Sequence, residues 1–554
     1  MNRRITAEKA IEYFTNLDED DSGDESESST ESETADKCQN TVDDDYVVNN
    51  EDESDGDIED ITETQYSIDE ASDTPNTISK DGTNWITVTS GPVGRLPAHN
   101  IFRAKQGPSP YCRNIKSPVD AWRLLIDDGC LRHILNCTND FARNKNVQKL
   151  FTIEEIDGFI GLLFMRGLMN QNTFPLDLLW SNEYGSNIFI NTMSRNRFRE
   201  LKKFIRFDVR SHRSERLKTD KFALLSEVLD RFVENSQKAY VPGESIAIDE
   251  QLFPTKARCK FLQYMPNKPD KFGIKFWMAT ELDSKYCINI IPYVGRDDTR
   301  QTSLGTHVVM KLMQPYFGKG YNVTCDNFFT CKDLAQKLLD KQISIVGTVR
   351  QNRREVPKTN KMKLYDSITY QCDSIQLVKY QAKPNKVVHV LSTLHKGLQC
   401  ETSGKKKPES IIYYNKNKCG VDVMDSMCRQ MTTKAGCRRW PLAAFYNILD
   451  ISGINSWILY KKVSGCKISR REFLLQLSRE LTDKLRKKRS EKDITNAQSH
   501  SLNKRIRCEV RSHCKRNKTS TLCIACNKPT CGNCMAKICS KCKQSTRLHC
   551  CPTC

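Results

Sequence analysis

The feature that most constrains this chain is a change of hydrophobic period at Pro242 and Gly243. Over 98–243, the stretches DAWRLLIDDGCLRHILNCTNDFARN, IEEIDGFIGLLFMRGLM and RNRFRELKKFIRFD space apolar residues at three and four, which predicts helices. A further helix fits 223–239 before the Pro-Gly pair ends the regime. From Glu244 the pattern becomes strand-like. SIAIDEQLF, KFGIKFWMATEL and YCINIIPYVG read as three successive strands. A helix (THVVMKLMQPYF), a strand (YNVTCDNFF), a helix (KDLAQKLLDK) and a strand (ISIVGTVR) complete 244–352.

That β-β-β-α-β-α-β order is the order of an RNase H-like core, which makes the expected class α/β. Residues 353–409 are short-stranded, Lys-rich and turn-rich, and read as a small β-rich insertion. IIYYNKNKCGVDVMDSMCRQM then resumes the core over 410–431 with a strand and a helix. Residues 432–495 return to a helical pattern, with WPLAAFYNILDISGINSWILYKK as an apolar helix or helix pair. A basic linker, 496–507, leads to the cysteine-rich end, 508–554.

Three acids stand out by position. Asp249 ends the apolar run IAI, Asp326 ends VTC, and Asp422 opens the helix VDVMDSM. In an RNase H-like sheet the first and fourth strands are adjacent, and the last helix packs beside them. Three carboxylates meeting there repel one another unless cations are present. Two Mg²⁺ about 4 Å apart turn such a trio into a clamp for phosphoryl transfer. By residue type alone each Asp also reads as a cap or turn residue.

Charge is divided sharply along the chain. Between Asp18 and Glu70 there are 23 acids and one base, Lys37, which leaves the remainder at +40 within an overall +18. Residues 1–97 are too polar and acidic to offset the entropy of ordering, so this N-terminal region is expected to be disordered. Ser22 and its neighbours, set among acids, suit an acidophilic kinase. The basic body suggests a polyanionic partner, nucleic acid first. No run of 18 apolar residues and no secretory leader is visible, so neither a membrane span nor export is expected.

Cysteine is equally uneven: of 25, eleven lie between Cys508 and Cys554. Cys523-x2-Cys526, Cys531-x2-Cys534 and Cys539-x2-Cys542 are three pairs, each able to supply two corners of a Zn²⁺ tetrahedron. Two zincs need eight ligands. The missing pair is sought in Cys508 with His513 or Cys514, or in Cys551 with Cys554. Around this tail, residues 461–518 hold 19 Lys/Arg against six Asp/Glu. RKKR at 486–489 and Lys504-Arg505 suit nuclear import.

The segments IAIDEQLFPTKARCKFLQYMPNKPDKFGIKFW, NVTCDNFFT, VGTVRQNRREVP and YYNKNKCGVDVMDSMCRQM closely resemble the piggyBac family of DNA transposases, from about Cys112 to the cysteine-rich end. The resemblance implies an RNase H-like core whose catalytic aspartates fall at Asp249, Asp326 and Asp422, with Asp425 in support. It implies two Mg²⁺ at those acids and cut-and-paste transposition of double-stranded DNA. In that course a freed 3′-OH attacks the opposite strand to leave a hairpin, and the ends are then joined to TTAA targets. It also implies a split helical DNA-binding and dimerisation domain around the core, hence a homodimer. The cysteine-rich end becomes a cross-braced two-zinc module, alternate ligand pairs sharing a metal, that binds the element's terminal inverted repeats. Two basic clusters are DNA-contact candidates: Arg350, Arg353 and Arg354 after the fifth strand, and Arg438, Arg439 and Trp440 in CRRWP. Trp440 reads equally as core. Rival readings are a domesticated DNA-binding or chromatin protein without mobility and, from the tail, a zinc-dependent ubiquitin ligase. Neither a membrane nor a small-molecule substrate is expected.

Overall fold

The computed structural model describes residues 76–88 and 101–499 apart from 267, 296–302, 359–361, 398 and 402–403, together with 505–508, 514, 517–521 and 529–532 of the tail. The acidic stretch 18–70, Ser22, Lys504, His513, Cys523, Cys526, Cys534, Cys539, Cys542, Cys551 and Cys554 lie outside these residues.

In chain order the strands are β1 (Asn76–Ile78), β2 (Asn84–Val88), β3 (Gly107–Pro108), β4 (Tyr240–Val241), β5 (Ser245–Pro254), β6 (Leu262–Tyr264), β7 (Phe272–Glu281), β8 (Cys287–Pro292), β9 (Asn322–Cys325), β10 (Ser344–Thr348), β11 (Ser367–Cys372), β12 (Ile375–Lys383) and β13 (Lys386–Ser392). One mixed sheet dominates the fold. Antiparallel β8-β7-β5 continues into parallel β5-β9-β10, and β10 then pairs antiparallel with β13. Ile246, Ala247 and Ile248 of β5 and all four residues of β9 are buried, as strands covered on both faces require. Crossover helices Leu304–Met313 and Lys332–Leu339 make the parallel pairings possible.

The helix Trp440–Ser464 explains its own all-round apolarity. Residues 442–456 are buried without a break, because the helix runs through the centre of the molecule. It is a single helix, with Pro441 in its first turn and Gly465 at φ +70 ending it. Several of its polar residues are matched. Trp122 Nε1 donates to Ser452 Oγ at 2.9 Å, and Asn455 bonds both the N–H and the carbonyl of Cys287. The helices before and after the core pack on one another. Ile153–Leu168, capped by the Thr152/Glu155 box, lies against Arg470–Ser499. A Cβ on Gly161 would stand 3.0 Å from the Ser478 carbonyl, so glycine permits that approach.

Two expectations are corrected. Part of 1–97 is ordered: Asn76–Val88 forms a hairpin that pairs with β11 and buries Trp85 completely. One large indole and a turn at Gly82, φ +85, give this polar segment the anchor that its composition hid. Residues 353–409 supply β11, β12 and β13, and these strands extend the same sheet. IIYYNKN is a helix, Glu409–Asn417, rather than a strand. Pro408 at its N-cap and Glu409 in its first turn favour the helix, and so short an apolar run carries no decisive period. No helix among the described residues is long and apolar enough to cross a membrane.

Candidate active site and cysteine cluster

The register of β5 against β9 sets two of the acids. Ala247 pairs with Thr324 and Ile248 with Cys325, and there the pairing stops. The next residues are Asp249 and Asp326. Two positions beyond a paired couple, they stand on one face of the sheet, side by side. Asp249 lies inside β5 rather than at its end, since β5 runs on to Pro254 along β7. The Asp326 carboxylate accepts the Phe328 N–H at 2.9 Å, and its carbonyl accepts the Thr330 N–H and hydroxyl. Gly347 makes room for this turn: a Cβ there would lie 2.1 Å from Thr330 Oγ1.

The third acid arrives on the helix Gly420–Arg429. Its first residue sits on β5, where a Cβ on Gly420 would be 2.7 Å from the Ala247 Cβ. Val421 and Met424 are fully buried, which leaves Asp422 exposed beside the other two acids. Lys268 Nζ lies 3.6 Å from Asp422 Oδ1 and donates to the Glu250 carbonyl at 3.5 Å.

Electrostatics show that these groups sense one another. Burial, followed by the charges of Glu250, Asp326 and Asp422, holds the Asp249 carboxyl well above the usual carboxylate range. Burial and Glu250 also raise Asp326, against the Phe328 and Phe329 N–H groups and Arg350, which lower it. Burial works against the Lys268 ammonium, yet Asp249, Asp422, Glu250 and Asp425 prevail and its pKa rises. On the opposite face Lys275 lies 3.9 Å from Glu250 Oε2 and 3.9 Å from the Trp277 ring centroid, and burial lowers its pKa. Despite Lys268 and Arg350, burial and neighbouring acids keep the Asp249 and Asp326 carboxyls raised. Hard oxygen donors crowded in this way suit a divalent cation such as Mg²⁺.

Asp425 plays a different part. Its carboxylate accepts from Arg429 Nε at 3.1 Å, and Arg429 also bonds Asp270 and the Leu252 carbonyl. It ties the helix to the sheet. Of the basic candidates, exposed Arg350 donates to Asn327 Oδ1 at 3.1 Å and half-buried Arg353 to the Phe328 carbonyl at 3.5 Å, both beside Asp326. Arg354 and Arg438 are exposed. Arg439 and Trp440 are structural. The Arg439 guanidinium binds the Lys202 and Ile205 carbonyls at the end of helix Arg195–Phe204, and Trp440 packs 5.0 Å from both Phe222 and Phe261. Lys268, Lys275 and Glu250 escaped the sequence reading. For Lys275 the signal was present in FGIKFW, where a lysine interrupts an otherwise apolar strand.

In the tail, β14 (Ile506–Arg507) pairs with β15 (Lys518–Thr519). The hairpin brings Cys508, Cys514 and Cys531 together, their sulfurs within 4.8 Å of one another. Cys514 Sγ and Cys531 Sγ are 3.7 Å apart, and the Cys531 N–H donates to Cys508 Sγ at 3.3 Å. That separation is too long for a disulfide. It matches the roughly 3.8 Å that Zn–S bonds of about 2.3 Å impose between two corners of a tetrahedron.

Comparisons with known proteins identify relatives of this chain. A family model described as Transposase IS4 matches residues 117–457, more than half of the chain. The human PiggyBac transposable element-derived protein 2 is 24% identical over 379 residues, covering 64% of this chain and 63% of that protein. The human PiggyBac transposable element-derived protein 3 is 24% identical over 394 residues, covering 65% and 64%. The chain therefore spans less than two thirds of the length of these curated relatives. A solved structure described as "Cryo-EM structure of piggyBac transposase synaptic complex with hairpin DNA" aligns at TM-score 0.69 and 32% identity, over 79% of this chain and 100% of that one. With the family model matched across most of its folded body, the chain belongs to the piggyBac family of DNA transposases.

Proposed function

We propose that this chain is a cut-and-paste DNA transposase, a nuclear homodimer built on an RNase H-like core, in which Asp249, Asp326 and Asp422 hold two Mg²⁺ over the scissile strand. The observation that carries this reading is the meeting of the three carboxylates: two just past the last paired residues of β5 and β9 and the third on a helix seated against β5. When bound, the ions activate the attacking oxygen and stabilise the leaving one. The chain's own residues do the rest. The aspartates fix the position of the reacting phosphate, while Arg350 and Arg353 take the neighbouring phosphates with charge-assisted bonds. Because nicking, hairpin formation, hairpin opening and joining to TTAA are all phosphoryl transfers, one set of carboxylates serves them all. Cys508, Cys514 and Cys531, with Cys534 as the fourth, hold one zinc of a module that reads the element's terminal repeats.

Asp326→Ala tests the reading. With DNA ends taken from the flanks of the gene, this variant loses detectable nicking while end binding stays within about twofold of wild type, since a lost metal ligand removes a term made mainly in the transition state. Cleavage that survives in Asp326→Ala overturns the assignment. A wild-type chain that binds ends and never cuts them supports the second reading, a domesticated DNA-binding protein. That reading is kept because the human relatives are named as element-derived.

A further inference from the structure

The Asn76–Val88 hairpin lies outside the residues matched by the family model, yet it ends on the loop that carries three of the basic candidates. β2 pairs with β11 through Ile86, Thr87 and Val88. The fully buried Trp85 donates its Nε1–H to the Glu355 carbonyl at 2.9 Å, and the Asp81 N–H donates to the Arg354 carbonyl at 3.3 Å. The turn that presents these donors is internally fixed. The Asp81 carboxylate accepts from Ser79 Oγ at 2.6 Å, from Thr83 N at 3.0 Å and from Thr83 Oγ1 at 2.8 Å. Lys332, which opens the helix after the Asp326 turn, donates to Thr83 Oγ1 at 2.9 Å.

The loop from Val349 to Pro357 belongs to neither strand nor helix; its own turns satisfy the Arg350 and Arg353 carbonyls, and other carbonyls take outside donors. The hairpin supplies two of them, and buried Lys379 supplies a third at Pro357. From the same loop, Arg350 and Arg353 reach Asn327 and the Phe328 carbonyl, one and two residues past Asp326. An unbroken series of contacts therefore runs from Trp85 to the second aspartate.

We propose that the hairpin is a working part of the DNA face, with Trp85 the positioning residue that holds the loop so that Arg350 and Arg353 stand beside Asp326. The inference rests on reading those two arginines as phosphate contacts. Arginine side chains on a loosened loop would meet phosphate only at the entropic cost of ordering it, so affinity and the number of ions released on binding both depend on the clamp.

The test is Trp85→Phe, which keeps an aromatic ring in the core and removes the Nε1–H donor together with part of the indole's volume; the melting curves account for the packing lost. Double-stranded DNA affinity is measured against salt concentration for wild type, Trp85→Phe, Arg350→Ala/Arg353→Ala and the triple variant, with a melting curve for each. The expected result is a fall of about threefold to tenfold in affinity for Trp85→Phe. Its log–log salt slope falls by up to about 0.9 for each phosphate that the loop no longer holds. Neither effect adds to the weakening in the double arginine variant. A purely structural role lowers the melting temperature and leaves the slope of the folded protein unchanged, and that result overturns the inference. Wild-type binding by Trp85→Phe, while the arginine variant is weakened, overturns it with the arginine reading intact. Wild-type binding by the arginine variant instead removes the phosphate reading and this inference with it.

Discussion

A single lysine illustrates how finely the cleft is balanced. Lys268 Nζ stands 3.6 Å from Asp422, and the surrounding carboxylates hold its pKa up against burial. Without metal it relieves their repulsion, and with metal it repels the incoming ion. Lys268→Met should therefore move two measurements in opposite directions. In chelator the melting temperature falls, by the equivalent of about 0.2–1 kcal/mol because Asp422 is exposed and screened. Titration with Mg²⁺ then raises it further than in wild type. Equal metal responses in the two proteins would show that Lys268 does not share the ions' ground. The same scale shows what the sequence concealed. Asp249, Asp326 and Asp422 stand out in the sequence because each follows an apolar run or opens a helix. Arg439 and Trp440 could not be sorted from DNA contacts, because a guanidinium capping carbonyls and one gripping phosphate have the same neighbours in the chain. Lys268 lies in the turn between β6 and β7, and only the fold places it against a helix more than a hundred residues away.

Elements were legible where a period ran long. Helices before the core and strands β5, β7 and β8 announced themselves through spacing and alternation. Glu409–Asn417 did not, because a few apolar residues fit either period and the deciding contact, Ile411 against Val346 and Tyr380, is remote in sequence. The junction between the helices Gly420–Arg429 and Trp440–Ser464 carries a pH dependence. Thr432 and Thr433 donate to Asp450, deep in the second helix, where burial pushes the carboxyl up to about 7 against these donors and Arg470. A raised folded-state value means that the native chain holds a proton which the unfolded chain releases near pH 4. This contribution is fully present below about pH 4 and is lost as pH rises through about 7. Asp450→Asn should flatten that segment of the stability curve. Urea melts at about pH 6 and about pH 8 should show the wild type losing more between them than the variant does. The β14–β15 knuckle makes a separate claim. Cys531→Ser should lower zinc content by about one ion per chain and abolish binding to terminal repeats, leaving the main melting transition in place. Unchanged zinc content would reassign the three thiols to simple packing.

At the scale of the whole molecule, the chain is a sheet threaded by one buried helix, and regions far apart in sequence complete one another. The polar composition before residue 98 predicts disorder, yet Asn76–Val88 joins the main sheet. The departure has one cause. Composition averages over a window, and a single Trp85 can anchor a segment whose average is polar. The hairpin's place in the sheet also bears on how the protein can be dissected. A fragment cut to the family-matched stretch would begin at residue 117 and leave β11 with a bare row of backbone donors and acceptors where β2 had lain. Exposed rows of that kind recruit other chains, so such a fragment would tend to self-associate for reasons unrelated to its chemistry.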